Sequence, residues 1–283
     1  HRDFFISAYS GSFVKRRRIV LSAALLHILL FVSVLFSNPF FWQKTAYPHP
    51  QEYHYLAEAL AQGQVSLLVE PSEELKQLTN PYDNSLRYRE DVYYFWDFAY
   101  YEGKYYVYFG IVPVMLFYIP CHLLFGTYPP MYLLVFLCVS VTIIMFMLLL
   151  YDLIKKYFKK TSFVLYIMLC TLFTYGFGSI FFLRTPNIYY LPIACGIMFS
   201  ISAIYFWMKS TEKNKINKKY LFFGSLCMAL VAGCRPQLLI NAFLSIPIFY
   251  DKIKEDGLKN NLKNIFTIWF FSGFWSKLQF NNK

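Results

Sequence analysis

The chain has 283 residues, of which 57% are hydrophobic and 15% are charged, whereas about 25% of the residues in an ordinary soluble domain are charged. So low a charged fraction excludes an ordinary soluble domain. The apolar residues form runs of about 20, which match the roughly 30 Å hydrocarbon core of a bilayer, so we predict a membrane protein. The net charge of +11 lies in short basic clusters beside these runs, which is typical of cytoplasmic loops near anionic lipid and not of nucleic-acid binding.

The first predicted elements are a basic cytoplasmic tail over residues 1–18 and a transmembrane helix over residues 19–37. The apolar run is longer than the core of a cleaved signal peptide, and it has no small-residue cleavage site. Because the cluster Lys15 to Arg18 precedes it, we predict a cytoplasmic N-terminus. His27, inside this helix, is expected to pack against a neighbouring helix.

Residues 38–110 are predicted to form a large first extracytoplasmic loop. The loop holds ten acidic and five basic residues, so its net charge is about −5. Apolar side chains recur at helical spacing from Tyr53 to Ala61, which predicts an amphipathic surface helix with Glu58 towards water. The segment from Tyr93 to Phe109 is rich in tyrosine.

Residues 111–126 allow two interpretations. The segment contains Pro113 and Pro120 and is short for a membrane span. As a true span it would also place the lysines at 155–160 on the outer side, against the positive-inside rule. We therefore predict a re-entrant or interfacial hairpin on the outer side, and a true span is the alternative.

Residues 129–250 predict a transmembrane bundle of about five helices that alternate in direction, with every lysine cluster in the cytoplasm. Residues 251–264 are then a cytoplasmic loop, and residues 265–283 begin a further helix that is not completed. Since the chain also starts without an initiator Met, we expect a fragment or a frame-shifted tail. The six cysteines lie in or beside apolar segments without metal-ligand spacing, so we predict small buried hydrophobic residues and no metal site.

Carboxylates of the outer loop are the candidates for acid–base chemistry, because motifs of soluble enzymes are absent. Asp97 lies among aromatic residues that can partly desolvate a carboxylate and favour its use as a general base. Glu58 and Glu52 are the second and third candidates. For each of the three, the alternative is an ordinary solvated charge.

A second group of residues is suited to substrate binding. Arg184 and Arg235 are each the only charge near an outer membrane boundary, where a lipid-linked phosphate would be an apt partner. Lys104 is a third candidate cation for phosphate, and Tyr101 and Tyr105 belong to the tyrosine-rich run that could stack on sugar rings. The alternatives are arginines that snorkel to ordinary headgroups and tyrosines that form an aromatic interface belt.

Three segments carry a family resemblance: Tyr55 to Gln64, Asp97 to Gly110 with Pro113, and Ala232 to Gln237. They resemble bacterial members of the GT-C superfamily of integral membrane glycosyltransferases, close to the protein O-mannosyltransferase and aminoarabinose transferase group. The order of elements is similar too, with one helix, a long outer loop, an aromatic hairpin and alternating helices. The resemblance implies an all-α polytopic membrane protein with a GT-C-like helix bundle.

The implied activity is transfer of a hexose or pentose from a polyprenyl-phosphate donor to a glycan, lipid or protein acceptor. It would take place at the extracytoplasmic face of the bacterial cytoplasmic (inner) membrane, in assembly of the cell envelope. The family usually has an Asp shortly after the first helix, and this chain has Gln51 and Glu52 there. The role of base therefore passes to Asp97 with Glu58 assisting, and Arg184, Arg235 and Lys104 would hold the phosphate.

Two other classes of protein are compatible with the sequence. A transporter or flippase for a lipid-linked saccharide would share the boundary arginines but would not need a loop carboxylate, and no internal repeat supports it. The third class is a non-catalytic membrane subunit or fragment. The sequence shows no required cofactor and leaves a divalent metal open.

Overall fold

The computed structural model describes residues 25, 27–29, 32, 52–95, 97–158, 160–212 and 215–256. This part of the chain is mostly helical and contains a two-stranded sheet. The predicted basic tail, most of the first transmembrane helix, the start of the outer loop and the segment 265–283 lie outside the described residues.

The outer loop folds into short helices and a β-hairpin. Its elements are α1 (Glu52–Ala61), α2 (Glu73–Gln77), α3 (Asn84–Arg89), β1 (Ala99–Tyr101) and β2 (Lys104–Tyr106). Helix α1 confirms the predicted amphipathic helix, since it buries Tyr53 and Leu56 and leaves Glu58 exposed. Strands β1 and β2 pair antiparallel, with Ala99 opposite Tyr106.

The segment predicted as a hairpin is one continuous helix, α4 (Val114–Phe125), which is shorter than a candidate membrane span. Its first part, Val114–Tyr118, is π-helical. Pro120 has no N–H group, and in a regular helix its ring would meet the carbonyl four residues earlier, so a wider turn accommodates it. The segment is therefore one helix with a widened first part, where we expected the chain to reverse. The helix ends at Gly126, whose φ of 68° suits glycine.

The remaining helices form a bundle. They are α5 (Met131–Tyr157), α6 (Phe163–Gly176), α7 (Ser179–Arg184), α8 (Tyr190–Ser210), α9 (Lys218–Cys234), a 3₁₀ helix (Pro236–Leu244) and α10 (Ser245–Asp256). Among the described helices, α5 and α8 are long and apolar enough to cross a membrane, which weakly indicates a membrane location. The apolar run over residues 163–183, which we expected to form one helix of the bundle, is divided into α6 and α7 by Gly178, which has a φ of 87°.

Helices α5 and α8 run parallel. Near their C-terminal ends, Lys209 Nζ pairs with Asp152 Oδ2 at 2.8 Å, and it also pairs with Glu212 at 2.7 Å. Near their N-terminal ends, the thiols of Cys138 and Cys195 lie beside each other. We call the end with the ion pair the lysine end, and the end that holds Met131, Tyr190 and Cys234 the loop end.

Helices α6 and α9 are antiparallel to α5 and α8. Phe146 of α5 stacks on Phe173 with 3.5 Å between ring centroids, whereas Tyr151, later in α5, faces Tyr166, earlier in α6, with 6.4 Å between ring centroids. On the other side, Cys234 at the end of α9 lies against Cys195 near the start of α8. Successive long helices of the bundle therefore alternate in direction.

Both ends of α4 lie at the loop end of the bundle. Gly110, just before α4, packs on the backbone of Cys234, at the end of α9. Tyr128, just after α4, stacks on His54 of the loop helix α1 with 4.4 Å between ring centroids, and Met131 then starts α5. The chain therefore enters and leaves α4 at the loop end of the bundle.

Two smaller predictions are confirmed. His27 is 7% exposed, lies 3.4 Å from Thr171 Oγ1 and faces the ring of Tyr175, so it packs against the neighbouring helix α6. The cysteines behave as small hydrophobic residues: four are buried and two, Cys121 and Cys227, are half-buried.

The ion pair at the lysine end gives a test of the helix packing. Asp152 and Lys209 have side chains that are 13% and 17% exposed, whereas Glu212 is 49% exposed. We expect Asp152→Asn to lower the free energy of unfolding by about 1–2 kcal/mol, because it leaves Lys209 with one exposed partner. Thermal unfolding in detergent would measure this. Glu212→Gln is the control and should change stability by less than about 0.5 kcal/mol; an equal effect of both variants would contradict the packing.

Candidate functional site

Asp97 and Tyr108 lie at the open end of the β-hairpin. The pairing of β1 with β2 and the left-handed residues Glu102 and Gly103 at the turn bring the chain back to its starting point. Asp97 has a φ of 67°, a conformation that Asp tolerates better than most residues. Burial and then the charge of Asp97 raise the pKa of Tyr108, whose hydroxyl is directed at that carboxylate. Tyr108 is therefore a protonated phenol beside Asp97 at neutral pH.

A second phenol, that of Tyr189, donates to Oδ2 of Asp97. Tyr189 comes directly before α8, and Asn187 holds it there. Asn187 Oδ1 accepts from the backbone N–H groups of Tyr189 and Tyr190, at 3.0 Å each. An Asn that satisfies the first N–H groups of a helix acts as an N-terminal cap. The start of α8 thus places a phenol hydroxyl on the half-buried Asp97.

Arg235 reaches the same place from the end of α9. Its Nη2 donates to the backbone carbonyl of Tyr189 at 3.1 Å, and its guanidinium carbon lies 5.9 Å from the centroid of the Phe109 ring. Phe109 is 4% exposed and packs edge-to-face on Tyr189. Tyr189 thus contacts both residues: its side-chain hydroxyl donates to Asp97, and its backbone carbonyl accepts from Arg235. We call Asp97, Tyr108, Phe109, Tyr189 and Arg235 the Asp97 cluster.

Two glycines allow the loop to reach α9. A Cβ atom on Gly110 would lie 2.1 Å from the carbonyl oxygen of Cys234, and one on Gly233 would lie 2.5 Å from Cγ2 of Val112. Both distances are far below van der Waals contact, so a larger residue does not fit at either position. This contact joins 97–110 to 232–237, two of the three segments on which the family resemblance stands.

Unpartnered polar atoms lie beside Arg235. Within the part of the chain that the structure describes, the buried hydroxyl of Tyr53 and the buried Nε of Arg235 have no hydrogen-bond partner. Burial raises the pKa of Tyr53, and the positive charge of Arg235 opposes that shift. Tyr53 is therefore a neutral donor. Two donors without acceptors are an arrangement that an anion or a water molecule would satisfy.

Glu58 and Glu52 lie on α1 and have other neighbours. Glu58 is exposed on α1 beside Tyr128, where burial and then the charge of Glu58 raise the pKa of Tyr128. The Tyr128 ring is stacked between the imidazoles of His54 and His122. Glu52, the half-buried first residue of α1, lies near Tyr118 of α4.

The substrate-binding residues predicted from the sequence separate into exposed and buried ones. Lys104 and Tyr101 are exposed on the hairpin, and Arg184 is the exposed last residue of α7. Tyr105 is 2% exposed, and its hydroxyl accepts from the N–H of Phe95 at 3.3 Å. The prediction that Tyr105 contacts a sugar is thus not supported. Side chains alternate along a strand, and that of Tyr105 lies on the face of the hairpin that packs on Phe95 and Phe98.

Sequence reasoning did not single out Tyr108, Phe109 and Tyr189. Tyr108 could have been noticed from the hairpin, since a short turn at Glu102 and Gly103 returns the chain to Asp97. Tyr189 is 92 residues from Asp97 in the chain, and no local pattern connects them. Among the described residues, no group of three or more His, Cys, Asp and Glu side chains is arranged to hold a metal ion.

The cluster combines a carboxylate that accepts a hydrogen bond from Tyr189 and lies beside Tyr108 with an arginine whose Nε has no partner among the described residues. Such a site can accept a proton at Asp97 and hold an anion at Arg235. Comparison of the chain with protein-family models, with curated protein sequences and with solved structures found no match.

Proposed function

We propose that the chain is a membrane glycosyltransferase of the GT-C type, which moves a hexose or pentose from a polyprenyl-phosphate donor to a glycan, lipid or protein acceptor. The observation that carries this proposal is the meeting of Asp97 and Arg235 on Tyr189, from segments far apart in the chain. A base and a phosphate-binding cation are the two groups that such a transfer needs.

Asp97 acts as the general base in this reaction. It takes the proton of an acceptor hydroxyl, whose oxygen forms a bond to the anomeric carbon of the sugar. The bond from that carbon to the phosphate oxygen breaks at the same time, and polyprenyl phosphate leaves with the electron pair. Phosphate is a good leaving group, so one carboxylate suffices and the configuration inverts. The phenols of Tyr108 and Tyr189 orient the carboxylate towards the acceptor.

Arg235 and Tyr53 bind the donor phosphate. Both contribute a buried donor atom that lacks an acceptor among the described residues, and Arg235 supplies the positive charge. Charge developing on the leaving phosphate strengthens these hydrogen bonds as the bond to the sugar breaks. Lys104 and Arg184 are exposed. They contact the donor phosphate only if the loop moves or the lipid carries the phosphate to that surface.

The membrane arrangement belongs to the same proposal. The bundle crosses the bacterial cytoplasmic membrane several times, with the N-terminus and the lysine end in the cytoplasm and the Asp97 cluster outside. Helix α4 lies in the outer interface, because both its ends are at the loop end. Its last residues Leu123, Leu124 and Phe125 are 72–75% exposed and would contact lipid.

Donor use tests the role of Arg235. The full chain in proteoliposomes is supplied with radiolabelled polyprenyl-phosphate hexoses and pentoses, and the labelled product is measured with membrane extract as the acceptor source. We expect Arg235→Lys to raise the KM for the active donor about tenfold, because lysine cannot make the paired hydrogen bonds of a guanidinium. Arg89→Lys, on the exposed face of the loop, is the matched control. No transfer from any labelled donor would contradict the proposed function.

Cysteine labelling tests the membrane arrangement. Single cysteines at Ser85, Thr127 and Thr161 are introduced into a chain whose native cysteines are replaced, and intact cells receive a membrane-impermeant thiol reagent. We expect labelling at Ser85 and Thr127 but not at Thr161, because α4 returns the chain to the outer side. Labelling at Ser85 and Thr161 but not at Thr127 would mean that residues 111–126 span the membrane.

A transporter or flippase for a lipid-linked saccharide is the second candidate. It is favoured by the breaks in the helices at Gly178 and after Cys234, since broken helices line the substrate sites of many transporters. Such a protein does not need a proton acceptor, so the asparagine variant of Asp97 distinguishes the two functions.

A further inference from the structure

The β-hairpin has one buried and one open face. Tyr100 and Tyr105 are paired in the register and share one face of the hairpin. On this face Tyr105 packs on Phe95 and Phe98 and is 2% exposed. Tyr101, opposite Lys104, and Tyr106 point to the other face, because successive side chains alternate. Tyr101 is 57% exposed. The open face is therefore built from tyrosines and one lysine.

The rings on this face are close enough to act together. The centroids of Tyr101 and Tyr106 are 6.5 Å apart, with the rings inclined by 61°. The ring of Tyr82, which is 58% exposed, packs instead on Tyr100 of the other face, with 6.1 Å between ring centroids. We call Tyr101, Lys104 and Tyr106 the tyrosine face.

The tyrosine face leads to the Asp97 cluster. Asp97 comes two residues before β1, and Tyr108 follows two residues after β2. Asp97 and Tyr101 are four residues apart, which limits the distance between their Cα atoms to about 14 Å. A chain-like ligand that lies along this face would therefore have one end near the Asp97 carboxylate.

We propose that the tyrosine face binds an uncharged saccharide, which is the acceptor of the proposed glycosyl transfer. Tyrosine suits this ligand because its ring packs on the C–H groups of a sugar while its hydroxyl bonds to sugar hydroxyls. The hydroxyl of Tyr101 already donates to Glu102 at the hairpin turn, which raises the pKa of Tyr101 and keeps it neutral. The identity of the acceptor rests on the proposed function, whereas saccharide binding by itself does not.

Charge and composition favour a saccharide over a membrane surface. The loop carries about −5 of net charge, with ten acidic and five basic residues, so it repels anionic lipid and acidic polysaccharide. Among the residues of the loop that the structure describes, five of the seven exposed large hydrophobic side chains are tyrosines, whereas those of α4 are Met, Leu and Phe. The surfaces suited to lipid tails and to a polar ligand are thus different parts of the chain.

Binding of defined oligosaccharides to the full chain in detergent tests the proposal without any donor. Maltohexaose, cellohexaose and chitohexaose are titrated separately by calorimetry. We expect at least one to bind, and we expect the double variant Tyr101→Ala with Tyr106→Ala to raise its Kd at least about tenfold. Tyr101→Phe keeps the ring and should stay within about threefold. Tyr88→Ala removes a ring that is 90% exposed elsewhere in the loop and should change nothing.

Two results would overturn the proposal. One is the absence of binding of all three hexasaccharides, or binding that the double variant leaves unchanged. The other is contact with lipid: an environment-sensitive dye at Tyr101→Cys, in a cysteine-replaced chain in nanodiscs, would be quenched by headgroup nitroxides and protected from iodide. If the chain binds a saccharide but transfers no sugar, the binding role of the tyrosine face stands and the proposed glycosyltransferase function is wrong.

Discussion

Replacing Asp97 by asparagine is expected to slow sugar transfer by about 100- to 10,000-fold, the usual contribution of a general base. Asparagine cannot take the acceptor proton at neutral pH. It does tolerate the left-handed backbone of this position and can accept the hydrogen bond from Tyr189, so the fold should survive. The measurement is the initial rate of transfer at saturating donor, with thermal unfolding to show that the variant is folded.

Asp91→Asn is the matched control for this experiment. Asp91 lies in the same loop, is exposed and also has a positive φ, of 47°. Its variant should transfer sugar at the rate of the unchanged chain. Full activity of Asp97→Asn would exclude Asp97 as the base. If transfer were absent from both chains while each moved a lipid-linked saccharide across proteoliposome membranes, the transporter would be the better assignment.

A methyl group at position 110 is expected to separate the loop from the bundle. In Gly110→Ala the new Cβ would lie 2.1 Å from the carbonyl oxygen of Cys234, a backbone atom that cannot rotate away. Overpacking of this kind costs on the order of 3 kcal/mol. We therefore expect a lower midpoint of thermal unfolding, together with a loss of sugar transfer of at least about tenfold, since the contact aligns Asp97 with Arg235.

Gly176→Ala provides the comparison for Gly110→Ala. A Cβ at Gly176 meets nothing within 4 Å, and its backbone is helical, so alanine should leave stability and activity close to those of the unchanged chain. Equal midpoints for the two variants would show that the loop does not pack on α9 as described. A stable Gly110→Ala chain with normal transfer would remove the contact from the catalytic arrangement.

Periodic patterns predicted elements reliably where one face of a helix is apolar. Helix α1 was predicted from the spacing between Tyr53 and Ala61, and the structure has it at Glu52–Ala61. The break between α6 and α7 was missed, because an apolar run continues through Gly178 without any change of composition. Likewise, Pro120 indicated a disturbed helix, but the sequence does not say whether the chain reverses or only widens one turn.

The membrane-like composition, the order of the helices and the choice of Asp97 and Arg235 as candidates followed from the residues alone. Composition and charge are properties of the residues themselves, so they can be read without a fold. The folded chain was needed to show that these two residues both contact Tyr189, that Glu58 lies beside Tyr128 instead, and that Tyr105 is buried. The reason is that such contacts depend on backbone approaches, such as that of Gly110 to Cys234, between segments more than one hundred residues apart.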